Sequence, residues 1–152
     1  MGLALLQSKA VKRMGKGIHL EVKRRVLTLI EEAYNEGIYI LITDGHRTHA
    51  EQDKLYAQGR TEPGKIVTYA KGGESNHNHG RAVDFCLTDI LGRKAIYTVN
   101  KDWKRVVTLA KNLGFKWGGD WKEFKDNPHL ELSFVQIQTS YSIVPYPGHP
   151  LK

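Results

Sequence analysis

Ser75-Asn76-His77-Asn78-His79-Gly80-Arg81-Ala82-Val83-Asp84 is the most informative stretch of this sequence, and Asp126-Asn127-Pro128-His129 complements it further along the chain. Two separated imidazoles and one carboxylate, which these two stretches can supply, are enough to hold a zinc ion with its fourth position open. An open position is typical of a catalytic zinc site rather than a structural one. Asp126 stands three residues before His129, where a general base for the attacking water could lie. The pattern therefore predicts zinc-assisted hydrolysis.

Two short segments beside these residues have the character of strands. Ala82 to Leu87 is predicted to form one strand, and His129 to Phe134 a final alternating one. Because successive strand side chains point to opposite faces, Asp84 lies on the face opposite its bulky apolar neighbours. Two neighbouring strands could thus bring Asp84 and His129 to one metal, and His77 would arrive from the glycine-bounded loop.

The rest of the fold follows from periodicity and turn residues. A helix is expected at 20–35, ended by Gly37, and a strand at 38–43. A second helix is expected at 48–58, opened by a capping box of Thr48 and Glu51 and ended by Gly59. A loop at 60–80 with a short strand at 66–68 follows, and then a helix around 103–113 closed by Gly114. Helices and strands mixed without regular βαβ repetition indicate an α+β fold.

Composition narrows the class of protein. The chain has 152 residues, 40% of them hydrophobic, which fits one domain with a sizeable core. Its single cysteine, Cys86, excludes an intrachain disulfide and is expected to be a small core residue. A net charge of +7 favours a polyanionic partner, whether nucleic acid, an anionic membrane or a cell-wall polymer. No stretch approaches the roughly 18–20 apolar residues of a membrane span.

Each candidate site residue also has a purely structural explanation. His77 and His79 could be exposed loop residues, or both could face the metal if the loop is extended. Asp84 could cap a turn, and Asp126 could open the Asp-Asn-Pro turn. Arg47 could form a surface salt bridge with Glu51, four residues further on. Joined, however, the spacing Ser-x-His-x-x-Gly-x-Ala-x-Asp with a downstream acidic-x-x-His is a specific pattern.

That pattern resembles the zinc D,D-carboxypeptidase and dipeptidase superfamily of bacterial cell-wall enzymes. The fuller match is to L-alanyl-D-glutamate peptidases, the catalytic domains of phage endolysins. Further similar segments occur in the right order between about Leu20 and Leu132: Asp44-Gly45-His46-Arg47-Thr48, Leu55-Tyr56-Ala57-Gln58-Gly59-Arg60-Thr61, Ala70-Lys71-Gly72-Gly73 and Gly114-Phe115-Lys116-Trp117-Gly118-Gly119-Asp120-Trp121. The sequence departs from the family at His46 and His79, where an aromatic residue such as tyrosine is expected.

The resemblance implies a fold and a set of roles. The fold would be the zinc D,D-peptidase (hedgehog-like) type, a small, mainly antiparallel sheet with flanking helices. The implied site has one zinc ion on His77, Asp84 and His129, with Asp126 as general base, Arg47 polarising the scissile carbonyl or holding a substrate carboxylate, and Gln52 and Ser75 supporting the substrate pocket.

The implied activity is hydrolysis of the L-Ala–D-Glu bond of the peptidoglycan stem peptide, a bacteriolytic and antimicrobial activity used in phage lysis. The alternatives are a D-alanyl-D-alanine carboxypeptidase with the same site and, from another class, a non-catalytic cell-wall-binding module. The expected partners are the stem peptide and anionic wall polymers, with no nucleic acid and no membrane insertion. The protein is expected to be a monomer.

Residues 1–138 would form the catalytic domain, and residues 139–152 a linker. Val144 to Lys152 also resembles the opening of a small peptidoglycan-binding module. The Gly2-Leu3-Ala4-Leu5-Leu6 run is too short for the apolar region of a signal peptide. The enzyme is therefore expected to be made in the cytoplasm and to reach the wall after holin-dependent release.

Overall fold

The structure is a computed structural model that describes residues 1–139. Its helices and strands are, in chain order, α1 (Leu3–Met14), α2 (Leu20–Asn35), β1 (Tyr39–Asp44), α3 (His49–Ala57), β2 (Ala82–Thr88), α4 (Lys101–Asn112), β3 (Lys116–Trp117), β4 (His129–Glu131) and α5 (Phe134–Thr139). The strands form one antiparallel sheet in the order β1-β2-β4-β3. This arrangement confirms the predicted α+β fold with a small antiparallel sheet.

The sheet separates an apolar core from a polar cleft. Val83 and Phe85 of β2 are fully buried in the core beside residues of α1, α2 and α4. The Phe85 ring lies 4.5 Å from the Trp103 ring of α4, measured between centroids. Asp84, between those two core residues, is only partly buried and lines the cleft. Strand alternation thus lets one short segment anchor the core and present a carboxylate on the other side.

Several local predictions are confirmed. The helix at 20–35 has the expected bounds, and Gly37 follows it with a φ of 77°, in the left-handed region that favours glycine. The capping box of Thr48 and Glu51 opens α3, where each residue's side chain accepts a hydrogen bond from the backbone N–H of the other. Cys86 is a buried core residue.

Two strand predictions are wrong in detail. Residues 66–68 form no strand; Ile66 and Val67 are exposed, and Arg60 holds the Thr68 carbonyl through a side-chain hydrogen bond instead of a ladder. The last strand stops at Glu131 rather than Phe134. There the Ser133 hydroxyl accepts a hydrogen bond from the Gln136 backbone N–H, and α5 begins.

Helix α1 and the two-residue strand β3 were not among the expected elements. Within residues 1–139, no helix is both long and apolar enough to cross a membrane. The expected linker falls outside the described residues, except for Thr139 at the end of α5, and so does the resemblance at Val144 to Lys152.

Candidate metal centre

Strand pairing brings two of the candidate ligands together. Asp84 and His129 are direct partners in the ladder between β2 and β4. His77 lies in a short 3₁₀ helix, Asn76–His79, that leads into β2. His77 Nε2 is 3.3 Å from Asp84 Oδ1, and His129 Nδ1 is 3.5 Å from the same oxygen. One ligand atom from each of the three residues lies within 4.8 Å of the others, so the three could hold one metal ion.

The 3₁₀ helix fixes the position of His77. The Ser75 hydroxyl accepts a hydrogen bond from the His77 backbone N–H at 3.2 Å. Gly80 ends the helix with a φ of 67°, and a Cβ at this position would lie 2.3 Å from the Gly17 carbonyl oxygen, so only glycine fits. The His77 ring donates from Nδ1 to the Gly45 carbonyl at 2.8 Å, which leaves Nε2 as the metal-facing nitrogen.

His79 is not part of the cluster. Its side chain is exposed, and its Nε2 lies 2.9 Å from the Gly73 carbonyl oxygen. The possibility that His77 and His79 both face the metal is therefore wrong, because the helical turn points their rings in different directions.

A chain of hydrogen bonds orients His129. Its Nε2 lies 2.7 Å from Glu131 Oε1, and the second oxygen of Glu131 accepts from the Asn76 side chain at 2.6 Å. Asn76 in turn accepts from Arg81 at 2.9 Å. Both oxygens of Glu131 are therefore engaged, and the His129 ring is held with Nδ1 toward Asp84. A carboxylate behind a histidine ligand fixes its tautomer and raises its basicity.

The donor set fits a divalent cation. Asp84 Oδ1 is buried, and within the described chain it accepts no hydrogen bond, although two imidazole nitrogens face it. A buried carboxylate oxygen without a donor is costly unless a cation satisfies it. Two nitrogens and one oxygen match the ligands that zinc takes in catalytic sites, where a fourth position is left for water or substrate.

The pKa directions at the site reflect competition between burial and charge. Burial raises the pKa of the Asp84 carboxyl, but the neighbouring His129 and His77 rings outweigh it and hold that pKa well below its usual range. Burial lowers the pKa of His129, but Asp84 and Glu131 outweigh it and raise that pKa to about 9. The Asp84 carboxyl is therefore ionised at neutral pH, which is the form that a metal ion needs as a ligand.

Asp126 lies beside the cluster and partly open to solvent. Its Oδ2 is 3.9 Å from His129 Nδ1, and its side chain is 46% exposed. Gly118 permits this approach, because a Cβ there would lie 2.3 Å from the Asp126 carbonyl oxygen. Burial raises the pKa of Asp126, and the charge of Asp84 raises it further. A carboxylate with a raised pKa at the edge of a cleft is suited to accept and return a proton.

Arg47 is held at the cleft wall by two partners. It donates to the Asp44 carboxylate and, through Nη1, to Gln52 Oε1 at 2.7 Å. Its Nη2 lies 4.0 Å from Asp84 Oδ2. A register irregularity between Ile42 and Asp44 at the end of β1 occurs just before this turn toward the site. The surface salt bridge with Glu51 is not formed, because Glu51 is engaged in the capping box.

Gln52 and Ser75 support other residues of the site. Gln52 is buried and donates to the Ala70 carbonyl at 2.8 Å, so it ties Arg47 and α3 to the loop on the other side. Ser75 lines the cleft but spends its hydroxyl on the His77 backbone. Both residues are placed to position other side chains.

The cleft itself has a volume of about 800 Å³. Residues of the metal cluster form one part of its wall, and the loops around Tyr69 and Phe124 form another. The Trp121 ring packs 4.9 Å from the His129 ring. The sequence alone did not predict a role in the site for Trp121, Asn76 or the Gly45 carbonyl. The role of Glu131 in orienting His129 could have been found, because Glu131 follows His129 by two residues and so lies on the same face of the strand.

Comparison with known proteins finds relatives of this chain. A family model described as D-alanyl-D-alanine carboxypeptidase matches residues 68–132. The chain is 52% identical to the peptidoglycan L-alanyl-D-glutamate endopeptidase CwlK of Bacillus subtilis, over 76% of this chain and 73% of that protein.

Two solved structures share the fold. The L-Ala D-Glu endopeptidase ChiX of Serratia marcescens superposes with a TM-score of 0.63 at 18% identity, over 86% of this chain and 91% of ChiX. A vancomycin resistance D,D-pentapeptidase, VanY, solved in complex with Zn(II), superposes with a TM-score of 0.56 at 17% identity, over 85% of this chain and 81% of VanY.

Proposed function

We propose a substrate and a mechanism from one premise: this chain belongs to the family of peptidoglycan L-alanyl-D-glutamate endopeptidases. It is a peptidase, and the bond it cuts is the L-Ala–D-Glu bond of the stem peptide. The observation that carries the mechanism is the position of Asp84 Oδ1. This oxygen is buried, accepts no hydrogen bond within the described chain, and lies between two imidazole nitrogens beside an open cleft.

The resident metal is zinc in this proposal, held by His77, Asp84 and His129. Nitrogen and carboxylate ligands with an open position support zinc, and VanY, which has the same fold, was solved with Zn(II). A bound zinc ion acts as a Lewis acid that polarises a carbonyl and makes water acidic near neutral pH, with a pKa of about 7. Glu131 and the Gly45 carbonyl keep the two imidazoles oriented toward it.

The remaining chemistry belongs to side chains of the cleft. Asp126 takes the proton from the attacking water and returns it to the nitrogen of the leaving D-Glu, since its raised pKa suits both directions of transfer. Arg47 presents a planar guanidinium to the scissile carbonyl or to a carboxylate of the substrate. Gln52 and Asp44 hold that guanidinium in place.

Product analysis tests the assigned bond. Digested wall fragments are separated and their masses measured. An L-alanyl-D-glutamate endopeptidase releases peptides that begin with D-Glu, whereas a carboxypeptidase releases free D-alanine, the activity that the matching family model is named for. Release of D-alanine with the L-Ala–D-Glu bond intact would overturn the proposal, and release of neither product would favour the wall-binding module.

Arg47→Lys is expected to lower kcat/KM by about 10–100-fold although it keeps the charge. A compact ammonium lacks the planar fork with which the guanidinium reaches Gln52, Asp44 and the substrate in different directions, and a lost hydrogen bond to a charged group costs about 1.5–3 kcal/mol. Steady-state kinetics on a soluble stem peptide measures the loss. Arg105→Lys is the matched control, because Arg105 also forms a two-bond ion pair, with Glu36, on the exposed surface. Full activity in Arg47→Lys would remove Arg47 from the mechanism.

Adsorption to anionic wall polymers is the second part of the proposal. The net charge of +7 supports it, and so does α1, where Lys9, Lys12 and Arg13 are exposed around a groove beside β1.

We expect lysis of intact walls to fall with added salt much more steeply than hydrolysis of a short soluble peptide. At 0.1 M salt, screening acts over about 10 Å, so it weakens long-range adsorption more than contacts inside the cleft. Turbidity of wall suspensions and peptide kinetics, measured across the same salt series, compare the two. Changing Lys9, Lys12 and Arg13 to glutamine should flatten the salt dependence of lysis. Equal salt sensitivity in both assays would contradict the adsorption role.

A further inference from the structure

Two exposed aromatic rings, one from each of two loops, contact each other at the cleft. Tyr69 belongs to the loop before the 3₁₀ helix, and Phe124 to the loop before β4. Their rings meet edge to face with centroids 4.5 Å apart, and both residues line the cleft. Phe124 lies three residues after Trp121, whose ring packs on the ligand His129. The pair therefore belongs to the wall of the same cleft as the metal cluster.

The pair is presented to solvent rather than buried. Tyr69 is 66% exposed and Phe124 is 48% exposed, so neither ring contributes much to the core. Phe124 has a φ of 53°, the only positive φ of a non-glycine residue among residues 1–139. A bulky residue in the left-handed region costs free energy, and such positions concentrate at functional sites.

The backbone around Tyr69 is anchored so that its ring projects outward. The Thr68 carbonyl accepts from Arg60 at 3.1 Å, and the Ala70 carbonyl accepts from Gln52 at 2.8 Å. The Arg60 guanidinium itself lies 3.8 Å from the centre of the Tyr56 ring in α3. Both neighbours of Tyr69 are thus tied to α3, which makes its ring a fixed platform instead of a free loop side chain.

The proposed substrate offers one chemical partner for such a platform. Near the scissile bond the stem peptide carries a methyl group and carboxylates, and carboxylates are matched by cations such as Arg47. In intact peptidoglycan, the nitrogen of L-Ala is acylated by the lactyl group of N-acetylmuramic acid, so a sugar ring lies one residue from the cut. The apolar face of a sugar ring packs well on an exposed aromatic ring in a cleft.

We propose that Tyr69 and Phe124 form a subsite for the sugar of the glycan strand, which makes the enzyme prefer stem peptides still attached to muramic acid. This inference rests on the proposed L-Ala–D-Glu endopeptidase function. It predicts recognition on the L-alanine side of the bond, in addition to the peptide contacts.

The test compares two soluble substrates that differ only in the sugar. One is a stem peptide acetylated at L-Ala, and the other is the same peptide carrying N-acetylmuramic acid. The wild-type enzyme should have the higher kcat/KM on the muramoyl peptide. Tyr69→Ala and Phe124→Gly should each lower the ratio of the two kcat/KM values by about tenfold, the effect of losing one partly buried ring contact. Glycine at 124 tolerates the left-handed backbone, so its effect reports the ring and not added strain.

Phe134→Ala is the matched control, because Phe134 is 60% exposed at the start of α5 and does not line the cleft. It should leave the ratio unchanged. A wild-type ratio of one, or equal losses on both substrates in Tyr69→Ala and Phe124→Gly, would overturn the sugar subsite while leaving the endopeptidase intact. Cleavage of neither substrate by the wild type would instead overturn the proposed function.

Discussion

Removal of metal by a strong chelator is expected to abolish hydrolysis of the stem peptide, and one equivalent of zinc per chain is expected to restore it. Arg47, the other group proposed to contact the scissile carbonyl, cannot by itself make the attacking water acidic. With the ligands His77, Asp84 and His129 unoccupied, the proposed mechanism loses its Lewis acid as well as the acidic water.

Ligand variants extend this prediction. Asp84→Asn and His77→Ala should each lower the zinc content of the purified protein and the activity together. His79→Ala is the control, since His79 is exposed and lies two residues from His77 in the same 3₁₀ helix. Metal analysis measures the zinc content of each variant, and peptide kinetics measures its activity. Full activity of the chelated protein, or loss of zinc in His79→Ala with His77→Ala unaffected, would contradict the ligand assignment.

Asp126→Asn should keep its zinc and still lose roughly 10²–10⁴-fold in turnover, the usual weight of general acid–base catalysis. Asp126 approaches His129 Nδ1 only to 3.9 Å, and its side chain is partly exposed. Its removal therefore leaves the three ligands in place and takes away the group that moves the proton. The measurement is kcat at saturating zinc, with metal content determined on the same sample.

Glu131→Gln provides the contrast. Glu131 shares a strand face with His129 and could be thought the base, but its two oxygens are engaged by His129 and Asn76. Its substitution should weaken zinc affinity by about 10–100-fold, the usual cost of losing a carboxylate behind a histidine ligand. Activity of Glu131→Gln should then recover at high zinc, whereas that of Asp126→Asn should not. The reverse pattern would assign the base to Glu131.

The parts of this molecule that sequence reasoning predicted are those governed by short spacings. Alternation along β2 and β4 placed Asp84 opposite the core residue Val83, and the structure pairs Asp84 with His129 across the ladder. The capping box at Thr48 and the glycine after α2 were also predictable, because each depends on residues within a few positions of one another.

Most of the parts that were missed depend on contacts between residues distant in the chain. Asn76 reaches Glu131 across 55 residues, and the Gly45 carbonyl meets His77 across 32. No local pattern reports such pairs. The early end of β4 was missed because His129 to Phe134 alternates as a strand would, while the Ser133 cap that starts α5 acts locally against it. Tyr69 and Phe124 meet only because their two loops close over one cleft.

Anomalous diffraction at the zinc edge, from crystals of the protein as purified, tests the central claim most directly. The account predicts one strong peak per chain between β2 and β4. His77 Nε2 and His129 Nδ1 should lie about 2.0–2.1 Å from it, Asp84 should be the third ligand, and the fourth position should hold water or an anion. A peak coordinated by His79 or by other residues, or a zinc with four protein ligands and no open position, would contradict it.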